Sequence, residues 1–139
     1  MDNVGVFESL AERAAETWAR LMPGVQSSTS RAKEATSGDA RRSPLEICNW
    51  IAFGHLWNRP QLTSRERRIL TIGVIASSAG EGPLRTHLRG ALNSGDLTPA
   101  DLDELVTHFA FYAGMPRASG LNRVVQEEIA SWRPTPPVT

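Results

Sequence analysis

The side chains best suited to moving a proton near neutral pH are three histidines, His55, His87 and His108, because an imidazole has a reference pKa of about 6.5. His87 falls between Leu84 and Leu88 on a stripe otherwise built of leucine and alanine. An imidazole there is either a hydrogen-bonded core residue or the polar floor of a pocket. His55 lies one helical turn after Ile51, on a face shared with Ile47, Cys48, Ala52 and Leu56, where it serves a pocket or subunit packing. His108 follows Glu104 by one turn, and a surface ion pair or a buried interhelix hydrogen bond accounts for it. Tyr112, the one tyrosine, could donate to an oxyanion or pack at the helix end before Gly114. Arg59, Arg65, Arg67 and Arg89 are candidates to grip an anion, although most arginines are solvated or paired with nearby acids. Arg89 points about 200° away from His87 on an ideal helix, which marks it as structural within one subunit. Trp18, Trp50, Trp57 and Trp132 read most simply as core or subunit-contact anchors.

Several chemistries are excluded by what the chain lacks. Its single cysteine, Cys48, can neither close an intrachain disulfide nor build a multi-cysteine zinc site. It sits in the apolar run Ile47-Cys48-Asn49-Trp50-Ile51, which predicts a packed, inert thiol. There is no glycine-rich phosphate loop, zinc-ligand spacing or Gly-x-Ser-x-Gly elbow. Fifteen basic and fifteen acidic residues cancel, so no broad field favours nucleic acid or an anionic membrane. No apolar run approaches the roughly 20 residues of a bilayer span, and the first ten residues lack the basic flank and apolar core of a signal peptide. The expectation is a cytoplasmic enzyme or binding protein.

The elements that must position these residues are helical. Residues 7–22 carry Phe7, Leu10, Ala14, Trp18 and Leu21 at three- and four-residue steps, and Pro23-Gly24 stops them. Residues 27–43 hold no aromatic and no aliphatic larger than alanine, which predicts a flexible linker. Pro44 opens a helix to about residue 58. Thr63-Ser64-Arg65-Glu66 has the form of a capping box, and the apolar residues after it surround the axis, predicting the most buried helix. Gly80-Glu81-Gly82-Pro83 predicts a turn, followed by a helix over 84–93 with Gly95 as its left-handed end. Pro99 starts the next helix, with Leu102, Leu105, Val106, Phe109 and Ala113 as its stripe, and Pro116 the last, with Leu121, Val124, Val125 and Ile129 inward. The expected architecture is all-α, five or six helices, organised as an N-terminal arm (1–26), the linker (27–43), a main body (44–132) and a loose tail (133–139).

Four blocks in this order carry a family resemblance. Phe53-Gly54-His55-Leu56-Trp57-Asn58-Arg59-Pro60-Gln61-Leu62 resembles W-G-x-x-W-x-R-P-G-L. Leu70-Thr71-Ile72-Gly73 follows at the expected distance. Leu84-Arg85-Thr86-His87-Leu88-Arg89-Gly90-Ala91-Leu92-Asn93-Ser94-Gly95 is similar to L-x-x-H-x-R-x-A-L-x-x-G, and Phe111-Tyr112-Ala113-Gly114-Met115-Pro116 to Y-x-G-x-P. Together they resemble the carboxymuconolactone decarboxylase family, across roughly residues 45–129. His55 stands where the family's decarboxylases commonly carry glutamate, Phe53 replaces a tryptophan and Gln61 a glycine.

The resemblance implies an AhpD-like helical bundle that assembles into homo-oligomeric rings, trimers or hexamers, and a cofactor-free decarboxylation of a small unsaturated or cyclic carboxylate or lactone. The family's AhpD-type alkyl hydroperoxidases use Cys-x-x-Cys-x-x-x-His; counting back from His87, the cysteines would fall at Gly80 and Pro83, where no thiol exists. Decarboxylation without a cofactor sends the released electron pair into a carbonyl of the substrate. The protein then supplies a cation for the carboxylate, donors for the oxyanion and an acid for carbon. The expected catalytic residues are His87, as general acid or base, and His55 assisting it. Arg59, Trp57, Arg67 and Tyr112 are the expected substrate-binding residues, and no metal is expected. An isomerase or cyclase on the same fold would use the same groups; a non-catalytic binding or assembly subunit would have lost them.

Overall fold

A computed structural model describes residues 3–27, 43–78 and 80–134. Among these residues all regular structure is helical: α1 (Asn3–Leu21), α2 (Pro44–Gly54), α3 (Ser64–Ser78), α4 (Glu81–Ser94), α5 (Pro99–Ala113) and α6 (Met115–Ser131), with one 3-10 turn at Leu56–Asn58. The all-α expectation holds, at six helices. None of the described helices is long and apolar enough to cross a membrane. Most of the expected linker, residues 28–42, and the tail beyond residue 134 lie outside the described residues.

Three of the helices begin on reciprocal side-chain caps. At α2 the Ser43 hydroxyl accepts from the Glu46 amide at 3.2 Å, and Glu46 accepts from the Ser43 amide at 2.8 Å, with Pro44 in the first turn. Thr63 and Glu66 exchange the same pair before α3, at 3.2 and 2.7 Å. Thr98 and Asp101 do so at α5, at 3.2 and 2.8 Å, with Pro99 following the cap. Each box satisfies amides that a helix start leaves orphaned. The hydrogen bonds from Thr63 hold the Glu66 carboxyl below its ordinary range. At α4 the segment 80–83 is not a free-standing turn: Gly80 caps the helix, and Glu81 begins it.

The chain forms two compact units, Met1–Leu21 with Gln26–Leu62, and Met22–Val25 with Thr63–Thr139. In the first, α1 packs on α2. Phe53 lies between Trp18, edge-on at 4.8 Å and 77°, and Trp57, stacked at 5.9 Å and 14°. Asn58 ties the ends together: its Nδ2 donates to the Phe53 carbonyl at 2.9 Å and to the Thr17 hydroxyl at 2.8 Å, and its Oδ1 accepts from Arg20 at 3.2 Å. The buried face of α2 is therefore Trp50, Phe53 and Gly54. The expected inward face is corrected: Ile51 and Leu56 are exposed, as are His55 and Cys48, so the lone thiol is not packed. This helix is apolar on both sides, and the side offering two large aromatics buries more area.

In the second unit, Ile72, Leu84, Leu88, Ala91, Leu92, Leu97, Leu102, Leu121, Val124 and Val125 form the core. The stripe expected on α6 is the one observed. The most buried helix is α4, not α3, where only Arg68 and Ile72 are fully covered and Ile69, Leu70 and Val74 are exposed. A helix apolar all round buries every side only if every side is packed, and within this unit one side of α3 is. Gly95 ends α4 at φ +78°, as predicted, and Gly114 at φ +94° is the single residue between α5 and α6.

At Gly54 the helices α1 and α2 approach closely. A Cβ there would lie 2.5 Å from the Leu10 carbonyl oxygen and 2.8 Å from Leu10 Cδ1, so the helices could not keep their spacing. Gly54→Ala is expected to lower stability by about 1–3 kcal/mol in urea denaturation. An unchanged midpoint would mean that the α1–α2 contact adjusts freely.

Candidate active site

The second unit holds a buried cation, Arg68, and a partly buried histidine, His87. Arg68 is on α3, one turn before Ile72, and has no solvent exposure. Its guanidinium reaches Asp96, in the α4–α5 turn, at 3.3 Å and the sulfur of Met22 at 3.3 Å. Asp96 is held in turn by the Ser64 hydroxyl, which donates to it at 2.7 Å. Arg65 donates to the Asp96 carbonyl at 2.9 Å and forks onto Asp101 at 2.9 and 3.0 Å. The start of α3 and the turn before α5 are thus latched around the Arg68 charge.

His87 projects from α4 and is partly buried, with its Nδ1 sealed from solvent. Burial, and then the nearby positive charge of Arg68, push its pKa down to about 4. At neutral pH the imidazole is therefore uncharged. Burial also lowers the Arg68 pKa, opposed by the Asp96 carboxylate, but a guanidinium stays protonated throughout the physiological range.

The opposite side of α4 is an ion-pair face. Arg85 and Arg89 both donate to Glu128 of α6, at 3.1 Å and at 2.8 and 3.0 Å, and Glu128 is only 3% exposed. Arg85 also pairs with Glu81 and Glu127, and Arg123 with the same two acids. Arg89 is structural, as its helical phase relative to His87 predicts.

The remaining sequence candidates fall in several places. His55 is the exposed C-cap of α2; its amide donates to the Ile51 carbonyl at 3.0 Å. Arg59, also exposed, follows the 3-10 turn. Trp57, 8% exposed, stacks on Phe53. These three belong to the first unit; His87, Arg67 and Tyr112 belong to the second. Arg67 is partly buried on α3. Tyr112 is exposed and stacks on His108 at 5.0 Å. Both line a groove of about 510 Å³ between α3 and α5, with Arg65, Ile69, Leu105 and Phe109, and His87 is not among its lining residues. His108 thus meets an aromatic ring, rather than the acid or buried partner expected of it.

Arg68 was absent from the sequence candidates. The signal was available: it lies one turn before Ile72 on the stripe that continues to Ile75 and Ala76, so its helical phase places it inward. The run Arg65-Glu66-Arg67-Arg68 reads instead as a solvated face.

Residues 46–127 match the model of the carboxymuconolactone decarboxylase family. The chain belongs to this family. The blocks from Phe53 to Pro116, and with them His55, Arg68 and His87, all lie inside the matched residues. Among characterised relatives, a 4-carboxymuconolactone decarboxylase of Acinetobacter baylyi is 37% identical over 77 residues, covering 55% of this chain and 57% of that protein. A nitrosuccinic acid decarboxylase of Metarhizium robertsii is 37% identical over 83 residues, covering 60% of this chain and 57% of that protein. The chain thus spans a little over half the length of these relatives. No solved structure matches it significantly.

A histidine held neutral by its surroundings has a consequence for acid stability. The unfolded chain takes up a proton at this residue near pH 6.5, whereas the folded chain resists until about pH 4. The unfolded state therefore binds more protons in that window, and stability falls as pH drops through it. His87→Leu is expected to remove a loss on the order of 3 kcal/mol, seen as a flatter dependence of the urea midpoint between those two pH values. An unaltered pH dependence would show that His87 titrates normally.

Proposed function

We propose that this protein is a decarboxylase of a small anionic carboxylate in which His87 carries the proton. The observation that supports it most is the partly buried imidazole of His87, with its Nδ1 sealed from solvent, inside the residues that match this family. The names of the two relatives describe carboxylic acids bearing a second electron-withdrawing group, a lactone in one and a nitro group in the other. In such a substrate the bond to the carboxyl carbon breaks, carbon dioxide leaves, and the electron pair passes into the adjacent acceptor oxygen. The carbon is then protonated. A low-dielectric surrounding strengthens every charge interaction in that step, and the imidazole takes up a proton from solvent and passes it to carbon, returning to its neutral form.

In this reading His55, at the end of α2, is a second proton carrier with Arg59 close to it in sequence. The reaction belongs to the decarboxylase side of the family and not to its dithiol peroxidases: Gly80 caps α4 and Pro83 lies in its first turn, where those enzymes need their two thiols. The working form is a homo-oligomer. Ile69, Leu70 and Val74 on α3, and Phe111, Tyr112 and Met115 around the α5–α6 junction, are exposed and would be covered by neighbouring subunits.

The test is carbon dioxide release from 4-carboxymuconolactone and from nitrosuccinate, followed in the intact chain and in His87→Gln. The variant is expected to lose at least about 100-fold in turnover while remaining folded. Undiminished release would place proton transfer elsewhere, and no release from either acid in the unaltered protein would remove the decarboxylase reading for these substrates. Sedimentation velocity checks the assembly: a species of 15.2 kDa alone would exclude the oligomer.

A further inference from the structure

We propose that the groove between α3 and α5 is a second binding site, separate from His87, for a small apolar molecule that carries a positive charge. The groove measures about 510 Å³, within the range of pockets that hold small molecules. Both of its walls belong to the second unit, and His87 is not among its lining residues. The proposal goes beyond the decarboxylase reading: that reaction takes an anion, whereas this groove suits a cation.

Helical spacing builds the walls. On α3, Arg65, Ile69 and Gly73 follow one another at four-residue steps, and on α5 so do Glu104, His108 and Tyr112. Leu97, which is buried, and Leu105 and Phe109, which pack against the core, form an apolar floor. Arg65 and Asp101, the first lining residue of each helix, are bonded to each other, so both walls start from the same end. Gly73, His108 and Tyr112 lie toward the other end, and there α3 offers no side chain. Glycine weakens a helix interior relative to alanine, and packing does not call for it here: a Cβ on Gly73 would meet no described neighbour within 4 Å. Its effect is to widen the groove toward the aromatic rings.

Charge decides which ligand fits. Two acids and one arginine line the groove, and the arginine is already engaged. The two terminal nitrogens of Arg65 donate to the Asp101 carboxylate at 3.0 and 2.9 Å, and one of them also to the Asp96 carbonyl at 2.9 Å. Among the described residues the Glu104 carboxylate has no ion-pair partner. His108, one turn further on, stacks on Tyr112 at 5.0 Å and 26°, which holds the tyrosine ring in place. An entering carboxylate would meet Glu104 with no free guanidinium to offset it. An ammonium would pair with Glu104 and rest against the face of Tyr112, where the ring quadrupole attracts a cation. The hydrocarbon part of the ligand would displace water from Ile69, Leu105 and Phe109. Leu70, Val74 and Phe111 are exposed but do not line the groove, so a neighbouring subunit packed on them would close it over rather than fill it.

Tyr112 is the one tyrosine of the chain, so protein labelled with ¹³C in its tyrosine rings reports on this groove alone. The probes are phenethylammonium, its uncharged counterpart phenethyl alcohol and the anion hydrocinnamate, compared at one ionic strength. Phenethylammonium is expected to shift the Tyr112 signal saturably and to bind at least about fivefold more tightly than the alcohol, with the anion weakest. Glu104→Gln is expected to bring the cation close to the affinity of the alcohol. Gly73→Leu, which places a side chain in the open space of a helix that tolerates leucine well, is expected to abolish the response to all three probes. His87→Gln is expected to bind the cation as the unaltered protein does, whatever its release of carbon dioxide. The proposal is overturned by the lack of a saturable shift with phenethylammonium, by an alcohol or anion that binds as tightly, or by an unchanged response in folded Gly73→Leu. The ranking of the three probes in the unaltered protein decides the matter even where a variant does not fold.

Discussion

A guanidinium without solvent contact must be answered by fixed charge and dipoles, and much of the second unit can be understood as that answer. Arg68 fixes the position of Asp96, Asp96 takes the Ser64 hydroxyl, and Arg65 joins the Asp96 carbonyl to Asp101. Asp101 also caps α5, so one run of polar contacts links a buried charge to the starting points of two helices. An isolated surface pair such as Arg65–Asp101 contributes little by itself; here it closes a chain whose other end lies in the interior. Removing the positive charge would strand Asp96 and loosen the turn that sets where α5 begins.

The same arrangement divides α4 by function. One side is bound to α6 through Glu128, whose 3% exposure makes its two arginine partners a structural necessity. The other side bears His87. His87 lies two positions from Arg85 and from Arg89, and that half-turn keeps paired arginines away from an imidazole whose protonation state matters.

Much of this was legible in the residues. The Thr63–Glu66 box, Pro99 in the first turn of α5, the left-handed Gly95 and the inward stripe of α6 each follow from local rules that tertiary packing did not override. The structural role of Arg89 followed from helical phase alone. What local rules could not decide was which side of a doubly apolar helix is covered. On α2 the aromatic pair Trp50 and Phe53 displaced the aliphatic side carrying Cys48 and Ile51. On α3 the apolar residues all round the axis suggested complete burial, while Leu70 and Val74 are exposed. Arg68 ends a run of four charged residues that looks solvated, although its phase agrees with Ile72. His87, by contrast, stands out in any reading, being the one polar ring on a stripe of leucine and alanine.

The α5–α6 junction has one more implication. A lone glycine at φ +94° and ψ +150° turns the chain using the backbone alone, and the residues around it, Phe111, Tyr112 and Met115, are 86%, 84% and 71% exposed. Direction and decoration are therefore set independently at this corner. The outward side chains can thus be exchanged without disturbing how α5 meets α6.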